Sequence, residues 1–97
     1  MKNNLEQARE IINDVDIKMM ELFKKRMAAA KMVADYKLEH NLPILDEKRE
    51  AELKQKNLKA LNDVNLEKYY LPFLEAMLSI SKDYQKDLIK KWKNMLC

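Results

Sequence analysis

The stretch LEQAREIINDVDIKMMELFKKRMAAAKMVADYKL, residues 5–38, decides the fold. Leu5, Ala8, Ile12, Val15, Met19 and Leu22 recur in steps of three and four, and the series continues through Arg26, Ala29 and Val33 to Lys37. That is the period of an α-helix with one apolar face, not the alternation of a strand. At about 100° per residue, Val33 and Lys37 each fall within about 20° of Arg26. Two cations therefore stand where apolar side chains are expected, on a face that the pattern marks for burial.

Working outward, Asn4 reads as the N-cap of this first helix, with Gln7 as a capping-box partner three residues on. The segment His40, Asn41, Leu42, Pro43 ends it: Asn41 can take the left-handed C-terminal position usually given to glycine, and Pro43 forces the residue before it to be extended. A short second helix starts at the capping residue Asp46 and carries Leu53, Leu58 and Leu61 until Asn62-Asp63 interrupts it. Asn65 is the expected cap of a third helix, whose stripe reads Leu74, Leu78, Ser81, Gln85, Leu88, Trp92 and Met95. Pro72 is expected to start or bend the regular part of that helix.

The expected fold class is thus all-α, with one very long, one short and one long helix in a single domain spanning residues 1–97. Composition agrees: 47% of residues are hydrophobic, 36% are charged and none is glycine, which excludes disordered, collagenous and turn-rich β chains. A first helix over 5–38 would be about 50 Å long, whereas a compact chain of this size has a radius of gyration near 12–13 Å. It must protrude, and its apolar face then needs another chain. The expectation is an intertwined homodimer.

Lys and Arg number 19 against 16 Asp and Glu, interspersed, so the net charge of +3 gives little reason to expect nucleic acid or a membrane surface as partner. Tyr69, Tyr70, Phe73, Tyr84 and Trp92 are not interleaved with a basic stripe and read as core or dimer aromatics. Cys97 is the one cysteine, which excludes a disulfide framework and a thiolate metal cluster. No apolar run approaches the roughly 20 residues of a membrane span, and the opening MKNNLEQARE lacks the apolar core of a signal peptide. A cytoplasmic protein is expected. His40 has no second histidine nearby and reads as exposed loop.

Arg26 and Lys37 on the first helix, with Ser81 and Gln85 on the third, all occupy core-facing slots. Each taken singly has a bland explanation: an arginine snorkels or meets a carboxylate such as Glu50, and a buried glutamine sets helix register. Taken together, two cations with hydroxyl and amide donors describe a pocket for a small anion bearing carboxylate or phosphate groups. Asp46, Glu47, Lys48, Arg49 and Glu50 form a second cluster, whose plain reading is a solvated first helical turn. Arg9 lies 17 residues, about 25 Å of helix, from Arg26 and roughly 100° around the axis. It cannot reach the same small ligand within one chain, but in an antiparallel-type dimer it could serve the other protomer's site.

These residues resemble those of a known family, the all-helical chorismate mutases of the shikimate pathway, which serves aromatic amino-acid biosynthesis. The matching stretches are LEQAREIINDVDIKMMELFKKR (5–26), VADYK (33–37), LPILDEKRE (42–50) and SISKDYQ (79–85). They contain Arg9, Asp16, Arg26, Lys37, Asp46, Arg49, Glu50, Ser81 and Gln85. The resemblance implies a free-standing isomerase that converts chorismate to prephenate, a small dimer with two equivalent sites, each completed by Arg9 in trans. It assigns Arg9 and Arg26 to the two carboxylates of chorismate, with Arg49 and Ser81 assisting. Glu50 and the Asp46 region receive the ring hydroxyl, and Lys37 and Gln85 address the ether oxygen.

This reaction is an intramolecular, Claisen-type pericyclic rearrangement. It needs no nucleophile, general base, metal or cofactor, and no motif for one is evident. Catalysis would come from clamping the compact conformer and from donors fixed at the ether oxygen, worth about 2.7–4 kcal/mol per donor in comparable sites. Glutamine at 85, where some relatives carry glutamate, has no proton to lose, so activity should not collapse between acid and neutral pH. Pro72 departs from the continuous helix usual in the family. Rival readings are an isochorismate pyruvate lyase on the same scaffold, a non-catalytic helical dimerisation module and, more distantly, a nucleic-acid binder.

Overall fold

The computed structural model describes residues 1–96; Cys97 lies outside the described residues, and so does the reading placed on it. Three helices account for nearly all of the chain: α1 over Asn4–Glu39, α2 over Glu47–Leu61 and α3 over Val64–Met95. No strand occurs among the described residues. No helix among them is long and apolar enough to cross a membrane.

The boundaries follow side-chain capping at each joint. Asn3, one residue earlier than expected, is the N-cap of α1: its side chain accepts the Glu6 N–H at 2.9 Å, and its carbonyl accepts the Gln7 N–H at 3.0 Å. Leu5 through Gln7 are then already inside the helix, which is why Asn4 cannot cap it. At the other end Asn41 has φ 54°, the left-handed value. The Leu42 N–H closes on the Lys37 carbonyl at 2.8 Å and the Asn41 N–H on the Leu38 carbonyl at 3.4 Å, a Schellman closure built on asparagine. Asp46 caps α2 as expected, accepting the Arg49 N–H at 3.0 Å.

The joint between α2 and α3 differs from expectation. Asn62 ends α2 in a left-handed conformation, and Asp63, not Asn65, caps α3 by accepting the N–H groups of Asn65 and Leu66 at 3.0 and 3.3 Å. α3 therefore starts eight residues before Pro72 and runs through it. Proline removes the hydrogen bond to the Lys68 carbonyl, but a strong cap upstream and buried Leu74 and Leu78 downstream keep both flanks helical.

α3 packs against both α1 and α2. The buried apolar core is Ala30 and Ala34 on α1 with Leu74 and Leu78 on α3. Here the pattern misleads in one respect. The enclosed line of α1 is Ala30 and Ala34, flanked by half-buried Met27 and Leu38, rather than the stripe through Arg26, Ala29 and Val33. Alanine at both buried positions lets α3 approach closely, since interaxial distance is set by the side chains at the contact.

Every residue from Asn4 to Lys25 is exposed, including Leu5, Ile12, Val15, Met19, Leu22 and Phe23. The chain is accordingly elongated, 62 × 28 × 15 Å with a radius of gyration of 17.5 Å. A compact chain of this length would come to about 12.5 Å.

Candidate active site

A cleft of about 340 Å³ opens where the C-terminal half of α1, the α1–α2 joint, the start of α2 and the middle of α3 converge. Arg26, Ala29, Val33 and Lys37 line it from α1, so the anomalous stripe of the sequence faces the cleft rather than the core. Asp46, Arg49 and Glu50 line it from the joint and α2, and Ser81 and Gln85 from α3. Seven polar residues singled out in the sequence, Arg26, Lys37, Asp46, Arg49, Glu50, Ser81 and Gln85, thus meet in one concavity. Its size lies at the lower end of the range usual for small-molecule sites.

Local structure explains why each side chain arrives there. Lys37 lies in the last turn of α1, and its ammonium donates to the Ile44 carbonyl at 2.7 Å. Its own carbonyl accepts the Leu42 N–H, so the α1–α2 joint is tied to Lys37 at both ends. One acceptor leaves the ammonium two further donors. Asp46 Oδ1 is committed to the cap of α2, and this fixes where Arg49 and Glu50 leave the first turn.

Arg26 is half-buried, yet among the described residues neither it nor Arg49 forms an ion pair. Glu50, the carboxylate offered by the sequence as a partner for Arg26, is engaged instead by Lys82. The Lys82 ammonium donates to both Glu50 oxygens, at 3.1 and 3.3 Å, across α2 and α3. Two guanidinium groups in a concavity without a protein carboxylate on either is the electrostatic signature of an anion site.

Gln85 is 6% exposed. Its Nε2 donates to Ser81 Oγ at 3.2 Å, one turn back on α3, while its Oε1 is buried without a partner. A buried amide oxygen left unpaired costs about 1–3 kcal/mol. Rotating the amide by half a turn would let the Ser81 hydroxyl donate to Oε1 and would turn the NH₂ group away from Ser81. Such O and N positions are exchangeable in their hydrogen-bond logic.

Two residues separate from this picture. Arg9 does not line the cleft; it sits on the exposed half of α1, about 25 Å along the helix from Arg26. Lys82 lines the cleft but does not belong to the stripe on which Ser81 and Gln85 were found. At 100° past Ser81 on a helix, periodicity assigns it to solvent, and its partner Glu50 is 32 residues away. Only the tertiary structure joins the two. His40 is exposed as expected, stacked on Tyr36 with centroids 4.0 Å apart and outside the cleft.

With the geometry established, comparison with known proteins gives one match. The family model described as "Chorismate mutase type II" matches residues 8–86 of the chain. That span includes every residue lining the cleft, and Arg9 as well. No curated protein and no solved structure matches the chain.

Proposed function

The chain belongs to the chorismate mutase type II family, and from that premise we propose that it is a chorismate mutase, converting chorismate to prephenate within a single mutase domain spanning residues 1–97. The observation that carries this reading is the pair of unpaired arginines, Arg26 and Arg49, facing the same cleft as Lys37, Ser81 and Gln85.

Chorismate carries two carboxylates, a ring hydroxyl and an enolpyruvyl ether. In the rearrangement the ether C–O bond breaks as a C–C bond forms within the same molecule, and no proton is transferred. Arg26, assisted by Arg49 and Ser81, holds one end of the dianion, while Glu50 and the backbone around Asp46 receive the hydroxyl. Clamping the extended substrate into its compact conformer removes conformational freedom before the reaction begins.

The electrostatic part of catalysis falls to Lys37 and Gln85. Negative charge builds on the ether oxygen as the C–O bond lengthens. The Lys37 ammonium, already fixed by the Ile44 carbonyl, needs no reorganisation to meet it. Gln85 contributes from the other side once its amide is turned: Ser81 satisfies the orphaned Oε1, and Nε2 donates to the ether oxygen.

The same reading includes an intertwined homodimer, with Arg9 of the partner subunit holding the second carboxylate, and a cytoplasmic setting. Support for the dimer comes from two apolar stripes that the chain leaves bare. One is the N-terminal half of α1; the other runs along α3 through Leu66, Tyr69, Phe73 and Ile80. Exposed contiguous apolar faces of this kind mark interfaces.

Adding the purified protein to chorismate should remove the ultraviolet absorbance of the substrate and yield prephenate. Inertness towards chorismate, with release of pyruvate and salicylate from isochorismate, would replace the mutase reading by a lyase one. Inertness towards both, together with no binding of a chorismate-like dicarboxylate that depends on Arg26, would leave only a helical dimerisation module.

A further inference from the structure

One ion pair in the cleft has no part in the scheme above. Lys82 on α3 reaches both carboxylate oxygens of Glu50 on α2, and the two side chains are only 29% and 18% exposed. A second lysine–glutamate pair joins the same two helices, Lys54 with Glu75. That pair is looser at 3.9 Å, is more exposed, and lies outside the cleft. If Lys82–Glu50 served only to hold α2 to α3, the two pairs would be equivalent. Their placement makes them different.

The cleft must accept a dianion, yet it contains two carboxylates. That of Asp46 is held in direction by one oxygen, Oδ1, which caps α2. That of Glu50 has no hydrogen-bond donor other than Lys82 among the described residues. Left free, it would swing on its flexible side chain and oppose the incoming carboxylates by like-charge repulsion. Held through both oxygens by one ammonium, it is fixed in direction and its charge is compensated, while each oxygen keeps a lone pair for a further donor.

We propose that Lys82 is a positioning residue for substrate binding: it fixes and neutralises the Glu50 carboxylate, so that this carboxylate does not repel the dianion and the ring hydroxyl meets an oriented acceptor. This rests on the chorismate mutase reading. Lys82 acts through Glu50 and does not itself touch the substrate.

The test is a double-mutant cycle read as KM and kcat on chorismate, with helicity and oligomeric state checked for each protein. Lys82→Met should raise KM by about 10-fold or more with kcat changed less than about 3-fold, because a charge partner has been removed from a partly buried carboxylate. Lys82→Arg, which retains the pair, should stay within about 3-fold of wild type. In a Glu50→Gln background, where no charge remains to compensate, Lys82→Met should have little further effect. Lys54→Met, the same change in the pair outside the cleft, should leave both constants unaltered.

A Lys82→Met enzyme with wild-type KM overturns the proposal, as does a loss that multiplies fully with that of Glu50→Gln, since Lys82 would then contact substrate directly. Should Lys82→Met not fold, the double variant, which carries no unpaired buried charge, decides the question against Glu50→Gln alone. Failure of the function reading is distinguishable: the wild-type protein itself would not consume chorismate, and both readings would fall together.

Discussion

The two halves of α1 carry one pattern and stand in different surroundings. From Asn4 to Lys25 every side chain is exposed, although apolar residues recur there every three or four positions. From Arg26 to Glu39 the same helix buries Ala30 and Ala34 against α3 and turns Arg26, Val33 and Lys37 into the cleft. Periodicity reports that a face is apolar; it does not report what covers it. In the second half the cover is α3, and in the first half none of the described residues supplies one.

The largest effect should come from the bare half. Ile12→Asp combined with Leu22→Asp places two charges on a face proposed to be buried by a second copy, at several kcal/mol if they remain unpaired there. Sedimentation should show monomers, and activity should disappear with the dimer. A stable, active dimer in that variant would break the comparison, because the bare half would then need no partner.

Next in size are substitutions in the covered half. Arg26→Ala or Lys37→Ala should lower kcat/KM on chorismate by at least about 10²-fold while leaving helicity and oligomeric state unchanged. Steady-state kinetics beside circular dichroism checks both parts, and full activity in either variant would remove the residue from the site.

Arg9→Ala links the two halves. It should cost about 10-fold to 10²-fold in kcat/KM, although the residue is about 25 Å from Arg26 within its own chain. Mixing and refolding equal amounts of the weakened Arg9→Ala and Arg26→Ala chains should raise activity to about a quarter of wild type, above that of either variant alone, since each mixed dimer regains one complete site. No recovery would place Arg9 outside the site.

The smallest effect concerns neither half of α1 and serves as a baseline. Asp63→Ala removes the side chain that caps α3, which should cost about 1 kcal/mol in thermal or denaturant unfolding. Because Asp63 lies outside the cleft, kcat and KM should not move.

Most of the polar lining of the cleft is legible without the fold. Arg26, Lys37, Ser81 and Gln85 betrayed themselves as polar residues on apolar stripes, a violation that local rules can detect. Asp46 was legible as a cap, and its capping role is the one its carboxylate fulfils. Lys82 was not legible, because a charged residue off the stripe looks like any solvated lysine, and its partner lies on another helix. The cap of α3 was misplaced for a local reason: Asn62, Asp63 and Asn65 are all capping residues, and only the backbone decides which takes the cap. At Pro72 a strong local breaker was outweighed by helix-favouring residues and packing on either side.

That this chain is three helices with short joints is local information, carried by the 3.6-residue period and by asparagine and aspartate at the helix ends. Its family membership is likewise carried by the order of residues along the chain. The tertiary structure alone decided that the stripe through Arg26 and Lys37 faces a cleft rather than a core. The reason is steric: alanines at 30 and 34 allow α3 to close on the neighbouring face of α1, and that closure leaves the larger, charged line of α1 facing the gap beside α2.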